Sequence, residues 1–261
     1  MSTQLTQSVL FITGAFIGNN CWDEWMVYFE TKGYVCIAPA WPYKDAPSEE
    51  LRNRHPDGEV ASNRIADLTE FFAEIVKKLP DKPIIIGHSL GGLITQVLLH
   101  RGLGCAGVAI HSFPPPGVNT FNYSFLKSIW ETMGFFTSTQ KTYLVRFAKW
   151  RKTFANGMDF VLQKELYYMY AVPESKKIVR DMINGLTKID FVNPHAPLLI
   201  TSGSDDQIIP ASLNFNNYRK YKVNNSIIDY KNFKGRNHLV FGHPSWTEDA
   251  DYILSWLEKI K

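Results

Sequence analysis

One short stretch combines residue types that can form and break an acyl bond. Gly87-His88-Ser89-Leu90-Gly91 follows the β-branched run Ile84-Ile85-Ile86 and leads into Gly92-Leu93-Ile94. That is a G-x-S-x-G motif with the strand before it and the helical pattern after it that the motif needs. Gly87 and Gly91 leave room where backbone must cross closely, so Ser89 is expected at the tip of a sharp, strained turn. The helix that starts there aims free N–H groups and its positive dipole end at any negative charge forming beside it. The plain alternative is a glycine-rich strand–helix turn with no chemistry.

A serine hydroxyl is a weak nucleophile. It needs a base, and the base needs an acid to orient it. In open parallel sheets such groups collect just beyond the carboxyl ends of strands. Ser202-Gly203-Ser204-Asp205-Asp206-Gln207-Ile208-Ile209-Pro210 follows one strand-like run and offers Asp205 and Asp206; either could instead be a solvated loop acid or a helix cap. Phe233-Lys234-Gly235-Arg236-Asn237-His238 follows another and offers His238. His243, before Pro244, suits a structural role, and His55, His100 and His195 fall in segments that read as surface or insertion. His111 closes a strand and is expected to line a pocket, while His88 is expected to pack locally. No His, Cys, Asp or Glu set has metal-ligand spacing, so no metal is expected. A developing oxyanion also needs donors. The Leu90 N–H is one, and the loop Thr13-Gly14-Ala15-Phe16-Ile17-Gly18 supplies the other, from Ala15 or Phe16.

These groups need a scaffold. Ser8–Ile12, Tyr34–Ala38, Ile84–Ile86, Ala106–Ile110, Pro197–Thr201 and Ser226–Tyr230 read as short buried strands. Helical patterns lie between them: Cys21–Thr31, Ser62–Leu79 with one apolar face, the segment after Ser89, Leu213–Tyr221 and a last helix up to Lys259. This alternation predicts an α/β fold with right-handed crossovers and a mostly parallel sheet flanked by helices. Residues 43–60 are polar and read as a surface excursion. Pro114-Pro115-Pro116-Gly117 breaks the pattern, and no strand run follows before about Asp190. That aromatic-rich stretch is too long for a crossover and predicts a helical cap over residues 114–190, inserted between core segments 1–113 and 191–261. Most of its aromatics are expected to fill the cap's own core, and a few to form an apolar substrate wall.

Composition narrows the function. A net charge of +3 without a dense basic run gives nucleic-acid binding no support. No apolar run reaches the about 18 residues of a membrane span. The start, Met1 to Gln7, is polar and uncharged, unlike a signal peptide. Cys21, Cys36 and Cys105 read as small core residues in a reducing, cytoplasmic setting.

The motifs together resemble the α/β-hydrolase superfamily. The chain order serine, acid, histidine is that family's order. The loop from Thr13 to Gly18 resembles its oxyanion loop, which usually begins His-Gly and donates from the residue that follows; the resemblance thus points to Ala15, with Phe16 second. Gly203 to Pro210 matches the family's G-x-x-D-x-x-V-P frame and favours Asp206 over Asp205, and Gly235-Arg236-Asn237-His238 matches its G-x-x-H loop. Thr13 departs from the usual histidine. The chain opens at what would be the third strand, so the first two antiparallel strands are expected to be missing. The resemblance implies the α/β-hydrolase fold and a capped serine esterase that cleaves a small, largely apolar ester or thioester with Ser89, His238 and Asp206. It implies no cofactor. A lactonase, for example on acyl-homoserine lactones, would use the same triad, and a non-catalytic ligand receptor is the alternative of another class. The expected partner is a small molecule, with a homodimer left open. Dehalogenase and epoxide hydrolase relatives carry aspartate in place of Ser89.

Overall fold

The computed structural model describes residues 7–118, 137–184, 189–221 and 226–261. Six strands form one sheet: β1 (Ser8–Ile12), β2 (Val35–Ile37), β3 (Ile84–His88), β4 (Ala106–Ile110), β5 (Leu198–Gly203) and β6 (Ile228–Phe233), in the order β2-β1-β3-β4-β5-β6. Every pairing is parallel. Parallel neighbours require crossovers, and helices supply them: α1 (Asp23–Glu30), α2 (Ser48–Asn53), α3 (Ile65–Lys77), α4 (Leu90–His100), α5 (Phe147–Thr153), α6 (Phe160–Tyr170), α7 (Lys176–Asn184) and α8 (Ala211–Lys220); α9 (Trp246–Lys259) follows the last strand.

β3 is buried along its whole length, which is why it reads as an uninterrupted isoleucine run and not as an alternating pattern. The helix after it, α4, is buried from Leu90 to Leu99, so it too lacks a polar face. α3 keeps the expected stripe, with Leu68, Phe72 and Val76 inward. β6 begins and ends later than its apolar run suggests, because an edge strand tolerates the polar Lys231 and Asn232.

The described helices between β4 and β5 pack into the core of the sheet. Trp150, Phe154, Tyr167 and Tyr170 belong to the same apolar cluster as Phe11, Trp22 and the sheet, and the Tyr170 ring meets Phe241 at 5.9 Å. Phe121, Tyr123, Phe125, Trp130, Phe135 and Phe136 lie outside the described residues. The 43–60 stretch is largely exposed, as its polarity suggests, and carries the short helix α2 from Ser48, but single residues along it turn inward. Lys44, Ser48, Leu51, Asp57 and Val60 are buried, and the Arg52 guanidinium donates to the Ala171 carbonyl at 2.9 Å. Polar residues are tolerated there because the α5–α7 side of the molecule pairs with them. All three cysteines are free, and Cys105 is exposed at the start of β4, so it is no core residue.

Candidate active site

The carboxyl ends of β1, β3, β4, β5 and β6 bring the reactive groups together. At the end of β3 the backbone makes a sharp turn, with Ser89 at φ +54° and ψ −115°, a conformation that L residues rarely adopt. Two long-range bonds hold it: Ser89 N–H donates to the Ile110 carbonyl, and the Ser89 carbonyl accepts from Phe113 N–H, both at 2.9 Å. A Cβ on Gly87 would lie 2.1 Å from the Gly91 carbonyl oxygen, and one on Gly91 would lie 2.1 Å from the Ile12 carbonyl oxygen. The motif's two glycines are therefore required by backbone crossing at both positions. Ser89 itself is partly exposed.

Asp206 follows β5 and is buried. Its Oδ1 accepts the Ile208 and Ile209 N–H groups, both at 2.8 Å, and its Oδ2 accepts from His238 Nδ1 at 2.7 Å. Burial alone would raise this carboxyl's pKa. The charge of His238, the close contact of His111 and the hydrogen bond from His238 overcome that and hold it well below the usual carboxylate range. Asp205 is exposed, and its carboxylate is turned to the Ser204 hydroxyl at 2.6 Å. The two adjacent acids thus part company: one meets the imidazole, the other meets solvent.

The acid loop and the histidine loop are stitched together. Asp205 N–H donates to the Arg236 carbonyl at 2.9 Å, and Gly235 N–H donates to the Ser204 hydroxyl at 2.8 Å. The Arg236 guanidinium reaches Asp249 on α9 at 2.9 Å, which anchors the strip carrying His238. With Nδ1–H given to Asp206, His238 Nε2 is the nitrogen left to take a proton.

Two histidines do more than the sequence indicates. His88 Nε2 donates to the His238 carbonyl at 2.8 Å, and their rings lie 4.6 Å apart. Burial and the neighbouring imidazoles hold His88 far below the usual histidine range, so it is the neutral Nε2–H form. His111 does not line an open pocket. It is fully buried, with Nδ1 3.2 Å from Asp206 Oδ2, a contact whose angle falls short of a hydrogen bond. The signal for both was their place at the carboxyl ends of adjacent strands, β3 and β4. Among the described residues His88, His111 and His238 are the cluster compact enough for a metal ion, with one ligand atom from each within 4.8 Å of the others. Two of these imidazoles turn to Asp206 and the third to a carbonyl, so the cluster is organised around the carboxylate.

The loop after β1 passes directly over the serine. A Cβ on Gly14 would stand 2.8 Å from Ser89 Cβ and 3.0 Å from His88 Nδ1. Next to it, the Ala15 N–H has no acceptor among the described residues, and Leu90 N–H, first in α4, has no preceding turn to bond. The Phe16 N–H is engaged: it donates to Glu174 Oε2 at 3.4 Å. His100 ends α4, and three further histidines are held elsewhere. His55 meets the Thr142 hydroxyl at 2.7 Å, His195 Nδ1 meets the Ala196 carbonyl at 2.7 Å, and His243 Nδ1 accepts from Ser245 N–H at 3.2 Å.

A parallel sheet with a serine on a strained strand–helix turn, a buried acid–histidine pair on later loops and a glycine loop over the serine defines a class of enzyme folds. The chain belongs to the alpha/beta hydrolase family, whose model matches residues 9–250. No curated protein sequence matches it. Solved structures do. A methylesterase from Arabidopsis is 14% identical, with a TM-score of 0.69 over 97% of this chain and 99% of that one. A variant of tomato methylketone synthase I complexed with beta-ketoheptanoate is 12% identical, with a TM-score of 0.69 over the whole of both chains. A monoacylglycerol lipase from Paleococcus ferrophilus is 18% identical, with a TM-score of 0.65 over 98% and 96%. At these identities the likeness is one of fold. No helix among the described residues is long and apolar enough to cross a membrane.

Proposed function

We propose that this chain is a serine hydrolase that cleaves a small, largely apolar carboxylic ester or thioester through an acyl-enzyme. The observation that carries the reading is the buried 2.7 Å bond between His238 Nδ1 and Asp206, on loops converging on a serine at φ +54°. Ser89 Oγ attacks the carbonyl carbon while His238 Nε2 takes its proton. The same imidazole then protonates the leaving oxygen or sulfur; it later takes a proton from a water that attacks the acyl carbon, and returns that proton to Ser89 Oγ as the Oγ–acyl bond breaks and the acid leaves. Asp206 keeps the imidazole in the Nδ1–H form and stabilises its cation. Leu90 and Ala15 N–H groups receive the oxyanion; Phe16 N–H, already engaged by Glu174, is the weaker candidate.

The apolar preference rests on the aromatic surroundings. The Phe154 ring meets the His238 ring at 5.4 Å, and Phe16 meets Tyr143 at 6.1 Å. Residues 114–190 are proposed to cover the site as a cap, consistent with the Leu239 N–H bond to the Phe154 carbonyl at 3.0 Å.

The test is hydrolysis of acyl esters of increasing chain length, with N-acyl homoserine lactones alongside, by wild type and Ser89→Ala. Ester turnover that vanishes in Ser89→Ala is the expected result. Turnover of lactones alone moves the assignment to a lactonase. A folded wild type inert to the whole panel overturns the reading and favours a ligand receptor.

A further inference from the structure

The loop over the serine is held by groups that the triad does not use. Glu174 is wholly buried. Its Oε2 accepts from Lys44 Nζ at 2.7 Å and from Phe16 N–H at 3.4 Å, and its Oε1 accepts from Ser175 N–H at 2.9 Å. Lys44 is buried too, with its ammonium 4.4 Å from the centre of the Trp41 ring. The loop is zipped to the same strip along its length. The Phe16 carbonyl accepts from Val172 N–H at 3.0 Å, Gly18 N–H donates to the Tyr170 carbonyl at 2.8 Å, and Ile17 forms a β-bridge with Ala171.

Phe16 needs such a clamp. Its φ is +67°, a left-handed conformation that costs an aromatic residue energy and persists only when its surroundings over-determine it. Both polar groups of its backbone are tied to the 172–174 strip. One residue earlier the Ala15 N–H has no acceptor among the described residues, and Gly14 before it packs against Ser89. Thr13, at the start of the loop, offers little hold of its own: among the described residues its hydroxyl meets Cys21 Sγ, at 3.3 Å.

A carboxylate is a hazardous clamp here. A negative charge near a developing oxyanion raises the barrier, and screening is weak in a buried site. A cation on the same oxygen removes that penalty. We propose that Glu174 is a positioning residue that fixes the oxyanion loop through Phe16, and that Lys44 neutralises it so that the clamp does not oppose the reaction. The inference rests on Ser89 and Ala15 having the roles proposed above.

The two halves of the pair then differ in sign. Lys44→Met leaves an unpaired anion beside the oxyanion site. Glu174→Gln keeps an acceptor for Phe16 N–H and removes the anion. Glu174→Ala removes the clamp altogether. The experiment measures kcat and KM for p-nitrophenyl butyrate, together with the rate of serine phosphonylation by a fluorophosphonate, in wild type, these three variants and Lys44→Met/Glu174→Gln. Lys44→Met and Glu174→Ala are expected to lose about ten- to a hundredfold in kcat, less than the full loss of a donor, with KM within about threefold. Glu174→Gln is expected to stay within about threefold of wild type, and the double variant to recover most of the Lys44→Met loss.

Equal losses in Lys44→Met and Glu174→Gln, or no recovery in the double variant, would indicate a purely structural pair and overturn the inference. If Lys44→Met does not fold, the contrast between Glu174→Gln and Glu174→Ala decides, and equal kcat in those two overturns it. A wild type inert to both probes overturns the serine-hydrolase reading as well. An active wild type with indifferent variants overturns this inference alone.

Discussion

His88 Nε2 donates a 2.8 Å hydrogen bond to the carbonyl oxygen of His238, so the residue before the candidate nucleophile holds the main chain of the candidate base. Both side chains are buried, and no water can replace that donor cheaply. His88→Phe leaves the carbonyl unsatisfied and is expected to cost about 1–3 kcal/mol of stability. It also frees the His238 backbone to shift, so kcat should fall more than KM rises. Urea denaturation and steady-state kinetics on the same preparation check both effects.

His88 also sets a pH dependence. Its folded pKa lies well below the usual value, so the native protein keeps it neutral while the unfolded chain protonates it below about pH 6.5. The unfolded state binds more protons there, so stability falls as pH falls, by up to about 1.4 kcal/mol per pH unit for this one group. Asp249 works the other way: burial, only partly offset by Arg236, raises its carboxyl to about 6, so its protonation favours the folded state between its unfolded value and that pH. Asp206 is shifted down, and its contribution is lost only in strong acid. His88→Gln keeps a donor for the carbonyl and removes the titration. The stability difference, wild type minus His88→Gln, is expected to drop between pH 6.5 and 5 in urea melts. Parallel curves would contradict the assignment.

The two neighbouring acids should respond oppositely to the same change. Asp206→Asn swaps the His238 tautomer and is expected to lower kcat by about three to four orders of magnitude. Asp205→Asn, on an exposed residue bonded to Ser204, should leave kcat within about twofold. Ester hydrolysis by the two variants, with circular dichroism to confirm folding, separates them.

Strain at the serine predicts a trade between stability and activity. Ser89 at φ +54° occupies backbone space that only glycine enters freely. Ser89→Gly is expected to be more stable than Ser89→Ala by about 1 kcal/mol or more, although both lack the nucleophile. Their melting temperatures, measured side by side, test this.

What the sequence discloses and what it hides divide along chain distance. The turn at Ser89 is local: Ile84–Ile86, the two glycines and the helix pattern lie within one short window, and the crossing at Gly91 and the Ile12 carbonyl follows from it. The residues alone leave Asp205 and Asp206 open, and Asp206 is preferred only because Gly203 to Pro210 resembles the acid loop of the family. Lys44 and Glu174 carry no such mark, because they meet across 130 positions and each alone reads as a surface charge. Residues 43–60 are largely exposed, as their polarity suggests; what hydropathy hides there is Lys44, whose charge is paired inside the fold. His111 is hidden because a strand end does not disclose which way its side chain turns. The aromatics of α5 and α6 are legible as core, but not as part of the sheet's own core, since periodicity identifies an apolar face and not its partner.

Covalent labelling by a fluorophosphonate, read by intact mass and peptide mapping, tests the central claim most directly. The mechanism requires a nucleophilic serine activated by His238. Wild type is expected to gain one phosphonyl group on the peptide carrying Ser89, His238→Ala to react far more slowly, and Ser89→Ala not at all. A folded wild type that stays unmodified, or that is modified equally in Ser89→Ala, would contradict the assignment of Ser89 as the nucleophile.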